Sequence, residues 1–195
     1  MGRLVVFNHL TLDGVMQAPG RPDEDRRGGF AHGGWAAPRM DPAMAGAVGQ
    51  GTWEFLFGRR TYEDFASFWP HQPEENPFAA ALNDGRKYVA SRTLREPLAW
   101  RNSTLLTGDA AEAVAGLKEQ GKDLLVFGSG ELIQSLMRRD LVDKYVLLIH
   151  PLVLGSGRRL FPDGGAPAAL RLVDAKPTPT GVVIATYQPE GVSDA

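Results

Sequence analysis

The stretch that decides the fold class is residues 123–161, DLLVFGSGELIQSLMRRDLVDKYVLLIHPLVLGSGRRLF. Residues 123–127 are mostly large and apolar, as in a strand that is buried on both faces. Gly128 and Gly130 follow, and the next apolar residues share one helix face: Leu132, Ile133, Leu136 and Met137. A second apolar run, residues 145–149, comes after a short turn. A strand, glycine turn, helix and strand in this order predict an α/β fold with a parallel sheet.

The glycine turn, Gly128, Ser129 and Gly130, is a candidate for binding chemistry. Glycine lets the backbone approach a ligand closely and adopt positive φ. The first N–H groups of the following helix have no partner within the helix and carry the positive end of its dipole, so a phosphate is favoured there. Glu131 lies in that first turn and would have to point away from such a guest. The alternative is that the glycines only make a tight turn.

Composition sets limits on the class of protein. The chain has 195 residues and a net charge of −2, without the basic excess typical of nucleic-acid-binding or membrane-anchoring surfaces. It has no cysteine, and its four histidines are scattered without metal-ligand spacing, so we expect no metal site. We expect one domain over residues 1–190, a frayed tail at 191–195, a cytoplasmic location, and neither a nucleic-acid nor a membrane partner.

A second strand end carries arginines. Residues 52–57 read as a strand, and Gly58, Arg59, Arg60 and Thr61 then open a helix predicted over residues 59–68. Two arginines beside the positive end of a helix dipole are unfavourable unless an anion lies there, and guanidinium groups bind phosphate in a bidentate way. The alternative is a pair of solvent-exposed arginines.

A third strand end has a similar composition. Residues 86–90 read as a strand, and Ser91 and Arg92 follow it directly. Ligands bind at the carboxyl ends of the strands of an open α/β sheet. Three anion-binding strand ends suit a dinucleotide, and the arginines favour an extra 2′-phosphate, and so NADP over NAD.

The N-terminal part contains the candidate substrate residues. Residues 3–10 read as a strand, followed by a turn at Asp13 and Gly14. Residues 17–40 form a long loop, whose aromatic residues could line a pocket or merely pin the loop down. Asp41 precedes a proline and is predicted to cap a short helix that ends near Gly49 or Gly51, or to place a carboxylate at the edge of a pocket.

These pieces, taken in order, resemble the dihydrofolate reductase-like superfamily, and most closely the reductase domains of the bifunctional riboflavin-biosynthesis deaminase–reductases. The resemblance is carried by LTLDGVM, GGWAAPRMD, FLFGRRTYEDFASFWP, KYVASRTL, residues 124–161 and a C-terminal hairpin. It implies a three-layer α/β domain with a mostly parallel twisted sheet and an antiparallel C-terminal hairpin.

The resemblance also implies NADPH as cofactor. In this superfamily the three strand ends hold the cofactor phosphates. The implied cofactor-binding residues are Gly14, Gly58, Arg59, Arg60, Thr61, Ser91, Arg92, Gly128, Ser129 and Gly130, with the backbone of Glu131, Leu132 and Ile133. The loop after the first strand lies over the nicotinamide, which places Thr11, Asp13 and Gly14 near the reacting centre.

The expected activity is an NADPH-dependent reductase that transfers a hydride to a small heterocyclic or sugar-derived substrate. Asp13 or Asp41 is the candidate catalytic carboxylate, and Thr11, Trp35 and Tyr62 are the candidate substrate contacts. The alternatives are the riboflavin-pathway reductase of 5-amino-6-(5-phosphoribosylamino)uracil, and a non-catalytic NADP-binding or regulatory protein. The resemblance favours a homodimer; the apolar run at 145–154 could face a partner or form a buried strand.

Overall fold

A computed structural model describes residues 1–49, 51–73 and 75–191. Its strands are β1 (Leu4–Thr11), β2 (Glu54–Gly58), β3 (Lys87–Ala90), β4 (Ser103–Leu106), β5 (Leu124–Phe127), β6 (Lys144–His150), β7 (Leu170–Pro177) and β8 (Val183–Pro189). Its α-helices are α1 (Arg59–Phe68), α2 (Pro77–Asp84), α3 (Ala110–Glu119) and α4 (Gly130–Met137).

The strands form one eight-stranded sheet in the order β4-β3-β2-β5-β1-β6-β8-β7. The pairs β2–β3, β3–β4 and β2–β5 are parallel, whereas β8 is antiparallel to both β6 and β7. The predicted α/β class, the mostly parallel sheet and the antiparallel C-terminal hairpin are confirmed. Pro177 ends the edge strand β7, where its missing N–H removes no hydrogen bond from the middle of the sheet.

The described residues group into two compact units. The first unit consists of Met1–Val5 and Gly51–Val142, and the second of the described parts of Val6–Gln50 and Asp143–Ala195. The expectation of a single domain over residues 1–190 stays a prediction. Of the tail predicted to fray, residues 192–195 lie outside the described part of the chain.

Aromatic rings fill much of the core of the first unit. Phe57, on β2, is fully buried and lies within 6.4 Å of Phe65, Trp100 and Phe127, measured between ring centroids. The Phe65 ring also contacts that of Trp69, at 6.0 Å. Because α1 carries Phe65, this packing holds the start of α1 at the end of β2.

Among its described residues, the core of the second unit includes two hydrophobic clusters. One joins Val15, Ala18, Phe30, Trp35 and Ala36, and therefore pins the long loop after β1. The other joins Met44, Leu148 and Val182, with Phe7 and Ile184 packed against it. The residues of β6 from 145 to 148 are buried, so a buried strand accounts for this part of the apolar run at 145–154.

Some element bounds match the sequence prediction to the residue, and one predicted element is wrong. The helix over residues 59–68 and the strand over 103–106 have the predicted bounds. The helix predicted after Asp41 is only a 3₁₀ turn, Pro42–Met44. Gly46 and Gly49 follow, and Gly49 has φ +82°, which no α-helix accommodates. No helix in the described ranges is long and apolar enough to cross a bilayer.

Candidate functional site

The three predicted strand ends lie side by side in the first unit. Gly58, the last residue of β2, is in register with Ala90, which Ser91 follows. Leu56 is in register with Val126, two residues before Gly128. Since all three strands run parallel, Gly58, Ser91 and Gly128 share one edge of the sheet. The sequence prediction of their common edge is therefore confirmed.

A hydrogen-bond network joins two of these ends. Ser129 Oγ accepts a hydrogen bond from Gly58 N at 2.9 Å, and lies 3.1 Å from Thr61 Oγ1. Ser129 N donates to Thr61 Oγ1 at 3.0 Å. Ser129 has the left-handed backbone conformation, φ 52° and ψ 39°, which costs a non-glycine residue about 1–2 kcal/mol. The serine is thus held across the gap between β2 and β5 instead of capping its own helix.

The helices of the first unit differ in how they begin. Asn76 and Asp109 cap α2 and α3, each accepting from two backbone N–H groups. In contrast, Gly58 and Ser129, at the N-caps of α1 and α4, make no side-chain cap hydrogen bond. These two helices are the ones that begin at the predicted phosphate-binding ends. Their N-termini keep the positive end of the dipole available to an anion.

The glycine turn after β5 is suited to bringing its backbone close to a ligand. Gly128 has φ +54°, and a Cβ added there would lie 3.0 Å from Thr61 Oγ1. Gly130, Leu132 and Ile133 follow within α4; the side chains of Leu132 and Ile133 are buried, so they could reach a cofactor only through their backbone. Glu131 is exposed.

The predicted arginines have different surroundings. Arg59 forms an i,i+4 ion pair with Glu63 at 3.3 Å, while Arg60 is exposed. Arg92 lines an open depression of about 490 Å³ together with Arg95, Thr107 and Gly108. Ser91, at the edge of this depression, accepts hydrogen bonds from the backbone of residues 93 and 94 and so shapes the turn. Arg95 was not predicted, because it lies outside the segment that follows the strand directly.

Asp13, in the second unit, has both carboxylate oxygens engaged. Oδ1 accepts from Thr11 Oγ1 at 2.6 Å and from Leu154 N at 3.2 Å, and Oδ2 accepts from Gly155 N at 2.8 Å. Arg159 Nε donates to the Asp13 carbonyl at 2.8 Å. The Thr11 hydroxyl, followed by the backbone N–H groups, lowers the pKa of Asp13 to about 2. The carboxylate is therefore an ionised clamp that joins two loops.

The neighbouring predicted residues belong to the same loop structure. Thr11 is buried, and its hydroxyl also accepts from Val15 N at 3.0 Å. Gly14 has φ +77° and its N–H donates to Thr11 O, so it closes the turn after β1. Asp41 caps the 3₁₀ turn by accepting from Ala43 N at 2.9 Å. Of the two roles weighed for Asp41, the structure shows the cap.

Trp35 and Tyr62 are core residues. The indole of Trp35 is buried and donates to Gln17 O at 2.7 Å, so it pins the long loop. Tyr62 is 3% exposed, and its hydroxyl accepts from Trp100 N at 2.9 Å. Each polar group already has a protein partner. That either residue contacts a substrate stays a prediction.

Two histidines that the sequence did not single out are brought together in the second unit. Nδ1 of His9, on β1, lies 2.9 Å from Nε2 of His150, the last residue of β6. The ring of Trp35 stands perpendicular to that of His150, at 5.2 Å between centroids. The two histidines are 141 positions apart, so no local spacing could have revealed them.

The residues of the first unit fit the phosphate groups of a dinucleotide. Two helices begin there without side-chain caps, Gly128 leaves little room for a Cβ, and two arginines line the adjoining depression. These are the donor types that bind pyrophosphate and 2′-phosphate groups.

Comparison with known proteins agrees with this geometry. Residues 3–184 match the RibD C-terminal domain family. The chain belongs to this family. It is 31% identical to the uncharacterized protein YyaP of Bacillus subtilis (strain 168) over 140 residues, which is 70% of this chain and 73% of YyaP. It is 29% identical to the uncharacterized protein YwjB of the same organism over 124 residues, 62% of this chain and 65% of YwjB.

Solved structures share the fold. A Shewanella sp. PV-4 protein, provisionally named a riboflavin biosynthesis protein, superimposes with a TM-score of 0.69 at 20% identity, over 96% of this chain and 99% of the other. A pyrimidine reductase-like protein from Corynebacterium diphtheriae NCTC gives a TM-score of 0.64 at 12% identity, over 99% and 93%. The dihydrofolate reductase-like fold is confirmed, and membership in the family indicates an oxidoreductase-type domain.

Proposed function

We propose that the protein is an NADPH-dependent reductase that acts on a small heterocyclic or sugar-derived substrate. The observation that carries the proposal is the pair of uncapped helix N-termini, α1 and α4, joined by the Gly58–Ser129–Thr61 network at one sheet edge. Membership in the RibD C-terminal domain family supports the reaction class. When bound, NADPH supplies a hydride to a C=N or C=O group of the substrate.

The chain's own contribution is binding and positioning. The backbone from Gly128 to Ile133 and the start of α1 would hold the pyrophosphate, and Arg92 with Arg95 would favour a 2′-phosphate. Asp13, one of the two candidate catalytic carboxylates, has a pKa of about 2 and is ionised near neutral pH, so it holds no proton to donate. Its role is to hold the loop after β1 in place, so we propose it as a positioning residue.

A titration tests the cofactor. NADPH and NADH are each added to the protein, and quenching of tryptophan emission is followed. We expect NADPH to bind much more tightly than NADH, and Arg92→Ala and Arg95→Ala to reduce that preference. Arg138→Ala, an exposed residue directly after α4, is the matched control and should leave the preference unchanged. Equal affinity for both nucleotides, or none for either, would contradict the proposal.

Two alternatives are separated by turnover. Family membership favours the reductase of 5-amino-6-(5-phosphoribosylamino)uracil, which predicts NADPH oxidation with that substrate. A non-catalytic NADP-binding or regulatory protein would bind NADPH and oxidise none of it with any carbonyl or imine offered. A homodimer is also proposed, and the molar mass in solution measures it.

A further inference from the structure

The histidine pair of the second unit lies towards the ends of two neighbouring strands. His9 is the sixth residue of β1 and His150 the last of β6, and these strands are neighbours in the sheet. Both residues therefore lie towards the carboxyl ends of their strands, the side on which open α/β sheets bind ligands. His150 is fully buried, whereas His9 is partly exposed.

The pair is enclosed by rings on both sides. Trp35 packs perpendicular to His150, and Phe7 packs edge-on against His9 at 6.1 Å between centroids. The 2.9 Å contact between His9 Nδ1 and His150 Nε2 requires a proton on one nitrogen and a lone pair on the other. The tautomer of one ring consequently fixes that of the other.

The surroundings keep both rings uncharged. Burial, followed by the proximity of His150, lowers the pKa of His9 to about 3. Burial, followed by the charge of Arg39, lowers the pKa of His150 to about 4. Two neutral imidazoles share two ring protons, one of which occupies the bridge.

The second proton has two possible places, His9 Nε2 or His150 Nδ1. His150 Nδ1 is buried and has no hydrogen-bond partner among the described residues. If it carries the proton, His9 Nε2 is an acceptor; if it does not, His9 Nε2 is a donor. Nε2 of His9 can therefore act either as a hydrogen-bond donor or as an acceptor while the ring stays uncharged. The tautomer of the buried His150 changes together with it.

We propose that His9 contacts an uncharged polar edge of the substrate, an N–H or C=O of an amide-type heterocycle, and that His150 is the positioning residue that sets its tautomer. This inference rests on the proposed function, and it specifies the chemical class of the substrate. The aspartates of the same unit are already engaged, Asp13 by Thr11, Leu154 and Gly155, and Asp41 by Ala43. A neutral imidazole offers no positive charge to a carboxylate or phosphate, so an anionic group is disfavoured at His9.

The test uses nitrogen NMR of the ¹⁵N-histidine-labelled protein. At pH 7 we expect His9 and His150 to be neutral and to have the same tautomer, both with the proton on Nδ1 or both with the proton on Nε2. Uracil, a neutral ring with N–H and C=O groups, should shift the His9 nitrogens at millimolar concentration, while orotate, its carboxylate analogue, should shift them much less. The exposed His32 and His71 are internal references.

Two variants separate the hydrogen bond from the packing. His150→Gln keeps a hydrogen-bonding group near the position of Nε2, and His150→Phe keeps a ring against Trp35 without it. We expect His150→Phe to bind uracil about three- to ten-fold more weakly, the range that one neutral hydrogen bond accounts for. His150→Gln should retain most of the affinity. The backbone amide spectrum of each variant reports whether it is folded.

Several results would overturn the inference: a charged ring at pH 7, opposite tautomers on His9 and His150, no response of His9 to uracil, or an equal response to orotate. The NADPH titration on the same sample keeps the two proposals apart. If NADPH does not bind but uracil shifts His9, the cofactor proposal fails and the histidine pair stands. If NADPH binds and uracil does not shift His9, only the histidine inference fails.

Discussion

Ser129 N donates to Thr61 Oγ1 at 3.0 Å, and this contact links the first turn of α4 to the first turn of α1. The same hydroxyl lies 3.1 Å from Ser129 Oγ, which in turn accepts from Gly58 N. One threonine thus fixes the relative position of two helix N-termini. Its removal should affect both the stability of the fold and the binding of an anion there.

Thr61→Val tests this link. Because the substitution leaves the backbone N–H and the hydroxyl proton of Ser129 without their acceptor, we expect the free energy of unfolding to fall by about 1–3 kcal/mol. NADPH affinity should fall as well. Urea denaturation and the tryptophan titration measure the two effects. Thr52→Val, at an exposed position before β2, is the control and should change neither; unchanged NADPH binding in Thr61→Val would argue against the site.

Gly128→Ala tests the close approach of the backbone. Positive φ costs alanine about 1–2 kcal/mol, and its Cβ would press on Thr61 at 3.0 Å. We therefore expect lower stability together with lost NADPH binding.

Gly116→Ala is the matched control, because Gly116 lies within α3 and a Cβ there meets no atom within 4 Å. It should raise the free energy of unfolding by about 0.5–1 kcal/mol, the helix preference of alanine over glycine. Similar losses in both variants would show that the strain at Gly128 is not the cause.

Asp13→Asn and Asp41→Asn should separate the clamp from the cap. An amide at position 13 turns an NH₂ group towards the N–H of Leu154 or Gly155, so the free energy of unfolding should fall. Asparagine caps a helix as well as aspartate does, so Asp41→Asn should leave the free energy of unfolding nearly unchanged. We expect Asp13→Asn, which disturbs the clamp, to lower turnover while NADPH affinity stays nearly intact. Lower turnover in Asp41→Asn, which keeps the cap, would show that this carboxylate has a role beyond the cap. Normal turnover in both would refute a functional role for these carboxylates.

Asp13 also predicts a pH dependence. Its pKa is about 2 in the folded chain against 3.8 ordinarily, so the folded state favours the ionised form. The stabilisation is complete above pH 4 and is lost as the pH falls towards 2. The difference in unfolding free energy between wild type and Asp13→Asn should shrink over this window, and a constant difference would contradict the assignment.

The histidine pair adds a second pH window. The pKa values of His9 and His150 are lowered from 6.5 to about 3 and 4, so the unfolded chain binds more protons between these limits. Stability is therefore full above pH 6.5 and decreases as the pH falls towards 4. His150→Phe should flatten the slope of unfolding free energy between pH 6.5 and 4, and an unchanged slope would show that His150 does not titrate in this way.

Lys87 tests how a buried cation is accommodated. Its Nζ donates to Leu82 O and Gly85 O, each at 2.6 Å, and lies 4.5 Å from the centre of the Trp100 ring. Lys87→Met leaves carbonyls at the end of α2 without this donor, so we expect a loss of about 1–3 kcal/mol in unfolding free energy and altered tryptophan emission. The variant keeps Leu82 and Gly85, whose carbonyls lose the donor. If wild type and Lys87→Met had the same free energy of unfolding, water would be replacing the ammonium group.

Burial lowers the pKa of Lys87 to about 8, so the unfolded chain binds more protons between pH 8 and 10.5. Lys87 therefore stabilises the folded chain more as the pH rises through this window. The deficit of Lys87→Met should consequently widen between pH 8 and 10.5.

The sequence predicted the features that depend on local chemistry. The shared edge of Gly58, Ser91 and Gly128 follows from apolar runs that end in glycine or serine, and the bounds of α1 and β4 also match the prediction. The helix after Asp41 failed because a good cap and proline could not offset the glycines that follow it.

Features that depend on distant contacts could not be predicted. The partners of Asp13 at residues 154 and 155, and the pairing of His9 with His150, each span at least 141 positions. The sequence allowed Trp35 either to line a pocket or to pin the long loop. Only the hydrogen bond from its indole to Gln17 O shows that it pins the loop.

The uncapped starts of α1 and α4 have a consequence for how variants are compared. A nucleotide that satisfies these helix ends binds the folded chain and not the unfolded one, so it raises the unfolding free energy by mass action, about 2.7 kcal/mol at one hundred times its dissociation constant. Melting temperatures would then rise with nucleotide concentration. A substitution at Gly128 or Thr61 would therefore lower the free energy of unfolding in two ways, through poorer packing and through the loss of stabilisation by the bound nucleotide.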